Sequence, residues 1–152
     1  MKKLSLFLLV AVALSACKKD SENTPATSNT DLLTSHNWKP SSGTISISAG
    51  GQTSSADAFD TCDKDDAYKF NTDKSLVVDA GTNKCSSSDP QKETGSWAFS
   101  NGDQKLTITL PNQAFPASAL DIKELSSKTL HVSGTQTANG ISYTVDATYV
   151  AQ

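Results

Sequence analysis

The stretch Ile141-Ser142-Tyr143-Thr144-Val145-Asp146-Ala147-Thr148-Tyr149 alternates apolar and polar side chains without a break. Successive side chains of an extended chain point to opposite faces, so a period of two describes a strand with one face buried and the other in water. Earlier in the chain the pattern recurs. Leu106, Ile108 and Leu110 alternate with Thr107 and Thr109, and Leu130 and Val132 flank an outward His131. Trp97 and Phe99 flank Ala98, Tyr68 and Phe70 flank Lys69, and Ile45 and Ile47 flank Ser46. Turn residues separate these runs at Asn71 to Lys74, Asn101-Gly102, Ser126 to Lys128 and Asn139-Gly140. Asn-Gly is the strongest short hairpin signal, because both central residues of a type I′ turn need φ > 0.

Read in order, the runs give eight strands, near 37–48, 66–71, 75–79, 93–100, 104–110, 118–125, 128–134 and 141–150. The fold class is all-β and antiparallel, mostly joined by hairpins. With no amphipathic helix to cover it, the apolar face must bury itself, by curling into a barrel or by folding into two sheets. Eight strands suffice for closure. The Ser/Gly-rich segment Ser41 to Ala56 cannot supply a core, and its second half is expected to be an exposed loop between the first two strands. Asp31 is expected to cap a short N-terminal helical turn through Leu32 and Leu33, so that one domain occupies residues 31–152.

Ahead of that domain, Lys2 and Lys3 precede the apolar run Leu4 to Leu14 and the small residues Ser15 and Ala16. A charged start, a short apolar stretch and a small-residue end make residues 1–16 a signal peptide, since spanning a bilayer takes about 20 apolar residues. Leu14-Ser15-Ala16-Cys17 resembles the lipobox of bacterial lipoproteins, which implies cleavage before Cys17 and attachment of acyl chains of the palmitate type to that residue. Each buried methylene contributes about 0.8 kcal/mol, so several chains anchor durably. Lys18 to Thr30 has a Pro and no large apolar residue, and reads as a flexible tether of about 45 Å at full stretch, completing a lipidated segment over 17–30.

Lys18 after Cys17 is not the Asp that retains enterobacterial lipoproteins at the inner membrane, so the outer membrane is expected. The run Lys18-Lys19-Asp20-Ser21-Glu22 resembles the charged export signals of Bacteroidetes surface lipoproteins, which implies display on the cell surface. Removing residues 1–16 leaves 11 basic residues against 16 acidic ones. All the basic residues are Lys; with no Arg there is no planar fork for bidentate phosphate contacts, and nucleic acid is not an expected partner.

With Cys17 taken by lipid, Cys62 and Cys85 remain, and an exported domain folds where thiols oxidise, so they are expected to pair. The other readings are a metal pair or a reactive thiol; no third Cys or nearby His completes a zinc site.

Several stretches together resemble one family, the lipocalin-like domains of Bacteroidetes cell-envelope lipoproteins. They are Phe59-Asp60-Thr61-Cys62-Asp63-Lys64-Asp65-Asp66, Tyr68-Lys69-Phe70-Asn71, Asp79-Ala80-Gly81-Thr82-Asn83-Lys84-Cys85, Asp89-Pro90 and Gly95-Ser96-Trp97. Leu32-Leu33 with Trp38, and Lys105-Leu106 after Asn101-Gly102, look like the family's opening and central hairpin. The resemblance implies an eight-stranded up-and-down barrel whose two cysteines tie the loop before the second strand to the loop before the fourth. Where true lipocalins carry Gly two residues before the first-strand Trp, this chain carries His36.

For chemistry, Asp57, Asp60, Asp63, Asp65 and Asp66 offer five carboxylates in ten residues. They lack the turn Gly and terminal Glu of an EF-hand, and a solvated acidic loop is the expected reading over a calcium site. His36 and His131 are the only imidazoles, and no nucleophile elbow, zinc helix or phosphate loop accompanies them, so no enzyme, metal or cofactor is expected. Trp38, Tyr68, Phe70, Trp97, Phe99, Tyr143 and Tyr149 fall on inward positions, where they either fill the barrel or line a site for one small apolar or amphipathic ligand. The leading expectation is a non-enzymatic envelope lipoprotein that binds such a ligand. The alternative is an accessory subunit of a surface uptake or adhesion complex, contacting an envelope partner through its loops.

Overall fold

The computed structural model describes residues 27–111 and 117–152. The expected signal peptide, Cys17 and most of the expected tether fall outside the described residues. One short helix, α1 (Asn29–Thr34), precedes nine strands: β1 (Asn37–Ala49), β2 (Gln52–Asp57), β3 (Ala67–Phe70), β4 (Ser75–Asp79), β5 (Lys92–Ser100), β6 (Lys105–Thr109), β7 (Ala119–Leu125), β8 (Thr129–Ala138) and β9 (Ile141–Ala151). Every pairing is antiparallel. The sheet runs β1-β3-β4-β5-β6-β7-β8-β9 and closes where β9 pairs with β1 from Trp38↔Ala151 to Ser48↔Ser142. Eight strands thus form the barrel, and β2 is an addition to it.

The added strand takes the place of the loop expected over the second half of Ser41 to Ala56. Gly50 and Gly51, at φ 57° and 80°, make the two-residue turn that folds β2 back along the second half of β1. All six β2 residues are exposed. The segment has no buried face, so it carries no apolar alternation to announce it.

The helix also differs in its start. Ser28, not Asp31, is the N-cap: its hydroxyl accepts from the Asp31 amide at 3.0 Å, and Asp31 Oδ2 accepts from the Ser28 amide at 3.3 Å. This reciprocal pair satisfies two otherwise orphaned donors of a six-residue helix. The helix packs against β3 and β7, with Leu33 fully buried, and forms the floor of the barrel. Trp38 Nε1 donates to Leu33 O at 2.8 Å, Lys69 Nζ to Thr34 O at 2.7 Å and Asn29 Nδ2 to Asp103 O at 3.5 Å, stitching helix to barrel.

Above this floor lies the core: Leu33, Trp38, Phe70, Leu76, Val78, Trp97, Leu106, Leu130, Val132, Ala147 and Tyr149. Phe70, Trp97 and Phe99 meet edge to face, with centroids 6.0 and 5.1 Å apart, and Lys74 Nζ lies 3.8 Å above the Trp97 ring. Phe59, Tyr149 and Tyr68 form a second such series at 5.4 and 5.3 Å. Burial raises the phenol pKa of both tyrosines far above the usual range, so both stay neutral.

Candidate functional site

The antiparallel registers place the turns 71–74, 101–104 and 126–128 at the floor, beside α1. The turns 50–51 and 139–140 and the loops 58–66 and 80–91 lie at the opposite end, the mouth. Strands β1, β8 and β9 are 13, 10 and 11 residues long, whereas β3, β4 and β6 have four or five. The long strands overshoot the short ones and extend the inner face beyond the core.

A bulge determines what this overshoot displays. Between Pro40 and Ser42 the β1–β9 register shifts by one residue, so that inward positions run Trp38, Pro40, Gly43, Ile45, Ile47. Without it the two isoleucines would turn outward. With it, Ile45 faces Val145 across the ladder and Ile47 faces Tyr143. Ile45, Val145 and Tyr143 are half-buried, and Ile47 is 40% exposed although it points inward. These four line one wall of the mouth.

At the β1–β3 seam, where Pro40 to Gly43 have left β3 and not yet met β2, the gap is plugged from the loop. Ala58 donates to Gly43 O at 3.1 Å, and Phe59 lies so close to Gly43 that a Cβ there would stand 2.9 Å from its ring. Outside this seam, Ser41, Ser42, Thr44, Asp57, Lys64 and Asp146 border an open polar groove of about 330 Å³.

Of the seven aromatics singled out in the sequence, Trp38, Phe70, Trp97 and Tyr149 are buried in the core, while Tyr68 and Phe99 are half-buried against it. Tyr143 alone stands in the mouth. Ile45, Ile47, Val145 and Phe59 belong to the same region; the first three were legible as strand residues, but their place in the mouth depends on the bulge.

Cys62 and Cys85 are bonded, with Cα atoms 5.1 Å apart, and join the two mouth loops. The acidic cluster reinforces that joint. Asp65 Oδ2 accepts from Thr82 N and Oγ1, both at 2.8 Å, and from Asn83 N and Nδ2 at 3.1 and 3.2 Å, which holds its carboxyl below the usual range, chiefly through the Thr82 hydroxyl. Its Oδ1 is buried without a partner. Asp63 accepts from the Asp60 amide at 2.8 Å. Asp66 is pushed up to about 6, first by burial and then by Asp63, Asp65 and Asp79. Asp63 and Asp65 act as loop ties, a more structural role than the expected solvated loop.

His36 lies edge-on to Trp38 at 6.1 Å between centroids. His131 Nε2 is 3.0 Å from Asp146 Oδ1 on the outer face. The sequence placed His131 outward, and it is there.

The family model of the lipocalin-like domain matches residues 35–132. The chain belongs to the lipocalin-like domain family. Among solved structures, this lipocalin-like chain is similar to a lipocalin-like protein from Bacteroides uniformis ATCC 8492, at 13% identity and a TM-score of 0.39, over 76% of this chain and 97% of that one. No curated protein matches the chain. The lipocalin-like family supports a capacity for ligand binding at most.

Proposed function

We propose that the mouth of this lipocalin-like barrel takes a small apolar or amphipathic ligand and that the protein is not an enzyme. The supporting observation is Ile47: inward-pointing, 40% exposed, and continuous with Ile45, Val145 and Tyr143 above a packed core. Leaving such side chains in water forgoes about 25 cal/mol per Å² of apolar area, which a ligand would recover by covering them. As for chemistry, the two imidazoles sit apart, one near the floor and one on the outer face, and neither lies in the mouth.

Native mass spectrometry of the full protein from its own host tests this directly, the expected result being an adduct of small-molecule mass. Ile47→Asp is then expected to abolish that adduct and the uptake of a fluorescent fatty acid while the melting temperature holds. Unchanged uptake in Ile47→Asp would overturn the assignment of the mouth.

The second reading, an accessory subunit acting through its loops, draws support from loops 58–66 and 80–91, which a disulfide joins and which are partly exposed. A protein-sized adduct in the same spectrum, with no small molecule, would favour it. We further propose that acyl chains on Cys17 hold the domain at the outer membrane, with the mouth facing the cell exterior. Protease treatment of intact cells is expected to remove the domain; survival while other surface proteins vanish would place it on the periplasmic side.

A further inference from the structure

Closing a barrel removes sheet edges, yet β2 restores one. Among the described residues β2 pairs only with β1, and its other edge is open over Gln52–Asp57. A two-residue turn makes its flanking pair, Ala49↔Gln52, a hydrogen-bonded one, and the bonding then alternates along the ladder. Ile47↔Ser54 and Ile45↔Ala56 are therefore bonded pairs, whereas Ser48↔Thr53, Ser46↔Ser55 and Thr44↔Asp57 are not. The side chains agree: non-bonded pairs approach more closely, and Ser46 Oγ–Ser55 Oγ and Ser48 Oγ–Thr53 Oγ1 are each 2.7 Å apart. It follows that the amides and carbonyls of Thr53, Ser55 and Asp57 point away from β1, into the open edge.

We propose that this edge pairs with β2 of a second copy of the chain, antiparallel about a two-fold axis through Ser55. That register sets Ser55 against Ser55 of the second copy and Thr53 against Asp57, each a bonded pair, so every outward amide and carbonyl of both strands is satisfied. The side chains are compatible with it. β2 carries one charge, Asp57, and the two-fold sets it opposite a threonine rather than another carboxylate; everything nearer the axis is Ser, Thr or Ala. The usual guards of an exposed edge, a Lys, a Pro or a bulge, are absent from the strand. The product is one sheet running β8-β9-β1-β2 into the same four strands of the second molecule, an isologous contact.

The test is made on the full chain in its own host. Ser55→Cys is expected to give a band at twice the chain mass on non-reducing electrophoresis that a thiol reductant collapses, while Ser88→Cys, exposed on the 80–91 loop, stays at single mass. Ser55→Pro removes an amide that β1 does not use, and is expected to abolish chemical cross-linking of the otherwise native chain without altering its circular dichroism; Ser55→Lys, which opposes two cations at the axis, gives the same loss should the proline variant misfold. A Ser55→Cys chain that stays single, one that cross-links at a mass other than twofold, or a folded Ser55→Lys chain that still cross-links as native would overturn the proposal.

Discussion

Asp66 shows how a single carboxyl can act against the fold. Its neighbours are Asp63, Asp65 and Asp79, it is partly buried, and its pKa rises from 3.8 to about 6. The folded chain therefore holds this proton more tightly than the unfolded chain does, so the proton stabilises the fold at low pH and that stabilisation is lost as pH climbs from about 4 to 6. Asp65, Asp73, Asp79 and Asp121 have lowered values and act in the opposite sense, losing their contribution as pH falls through the acid end of the range. Asp66→Asn is expected to raise the melting temperature at neutral pH and to flatten its dependence between pH 4 and 6. A melting series over that range checks it; a variant that tracks the native chain throughout would refute the shift. In sequence Asp65 and Asp66 read as part of a solvated run from Asp57 to Asp66. The donors that satisfy Asp65 lie 17 and 18 residues further on, at Thr82 and Asn83, a distance at which no spacing rule operates.

At the scale of elements, the strands that could be read were those with one buried face. Ile141 to Tyr149, Leu106 to Thr109 and Leu130 to Val132 all lie in observed strands, with Leu110 just past the end of β6, and the Asn139-Gly140 turn joins β8 to β9 as its residue pair indicates. β2 could not be read this way, because both its faces are wet and alternation reports burial rather than extension. The bulge near Ser41 was hidden for another reason: the parity of Trp38 and that of Ile45 disagree, and only a backbone irregularity puts both on one face. The sequence reading put the cap at Asp31 and missed the capping box Ser28-Asn29-Thr30-Asp31, although a hydroxyl three residues before a carboxylate is its signature. Gly51 is the residue on which β2 depends. Gly51→Val places a β-branched side chain at φ 80°, at a cost of about 1–2 kcal/mol for the left-handed backbone. The hairpin is expected to fray locally, with faster hydrogen exchange at the Ser54 and Ala56 amides and little change in the melting of the barrel. Uniform loss of protection across β8 and β9 would show instead that β2 supports the whole fold.

For the molecule as a whole, closure and the loop joint divide the work. Barrel closure buries the aromatic core and leaves a mouth, and the bond between Cys62 and Cys85 restrains the loops around it over a separation of 23 residues. In the chain-entropy model a link of that span stabilises the fold by about 3 kcal/mol. The double variant Cys62→Ala with Cys85→Ala is expected to lose about that much in denaturant unfolding, with the change in barrel circular dichroism confined to a lower midpoint. A midpoint unchanged within error would mean that the Asp65 contacts hold the joint unaided. The general run of the strands was legible from periodicity, which left a barrel and two packed sheets both open to an uncovered amphipathic meander; the barrel was what the resemblance to lipocalin-like domains implied. The apolar wall at its mouth was not, because it depends on unequal strand lengths that only the pairing reveals.

One hydrogen bond has a practical reach beyond the fold. The amide of Gln152 donates to Asn37 O at 2.9 Å, so the chain leaves the barrel beside the place where it entered, next to α1. An affinity handle or fluorescent reporter fused after Gln152 would therefore hang from the floor, on the same side as any leash attached upstream of Ser28. The opening at the far pole would stay unobstructed in such a fusion, and for a leashed chain the handle itself would be shadowed by whatever surface the leash is fixed to.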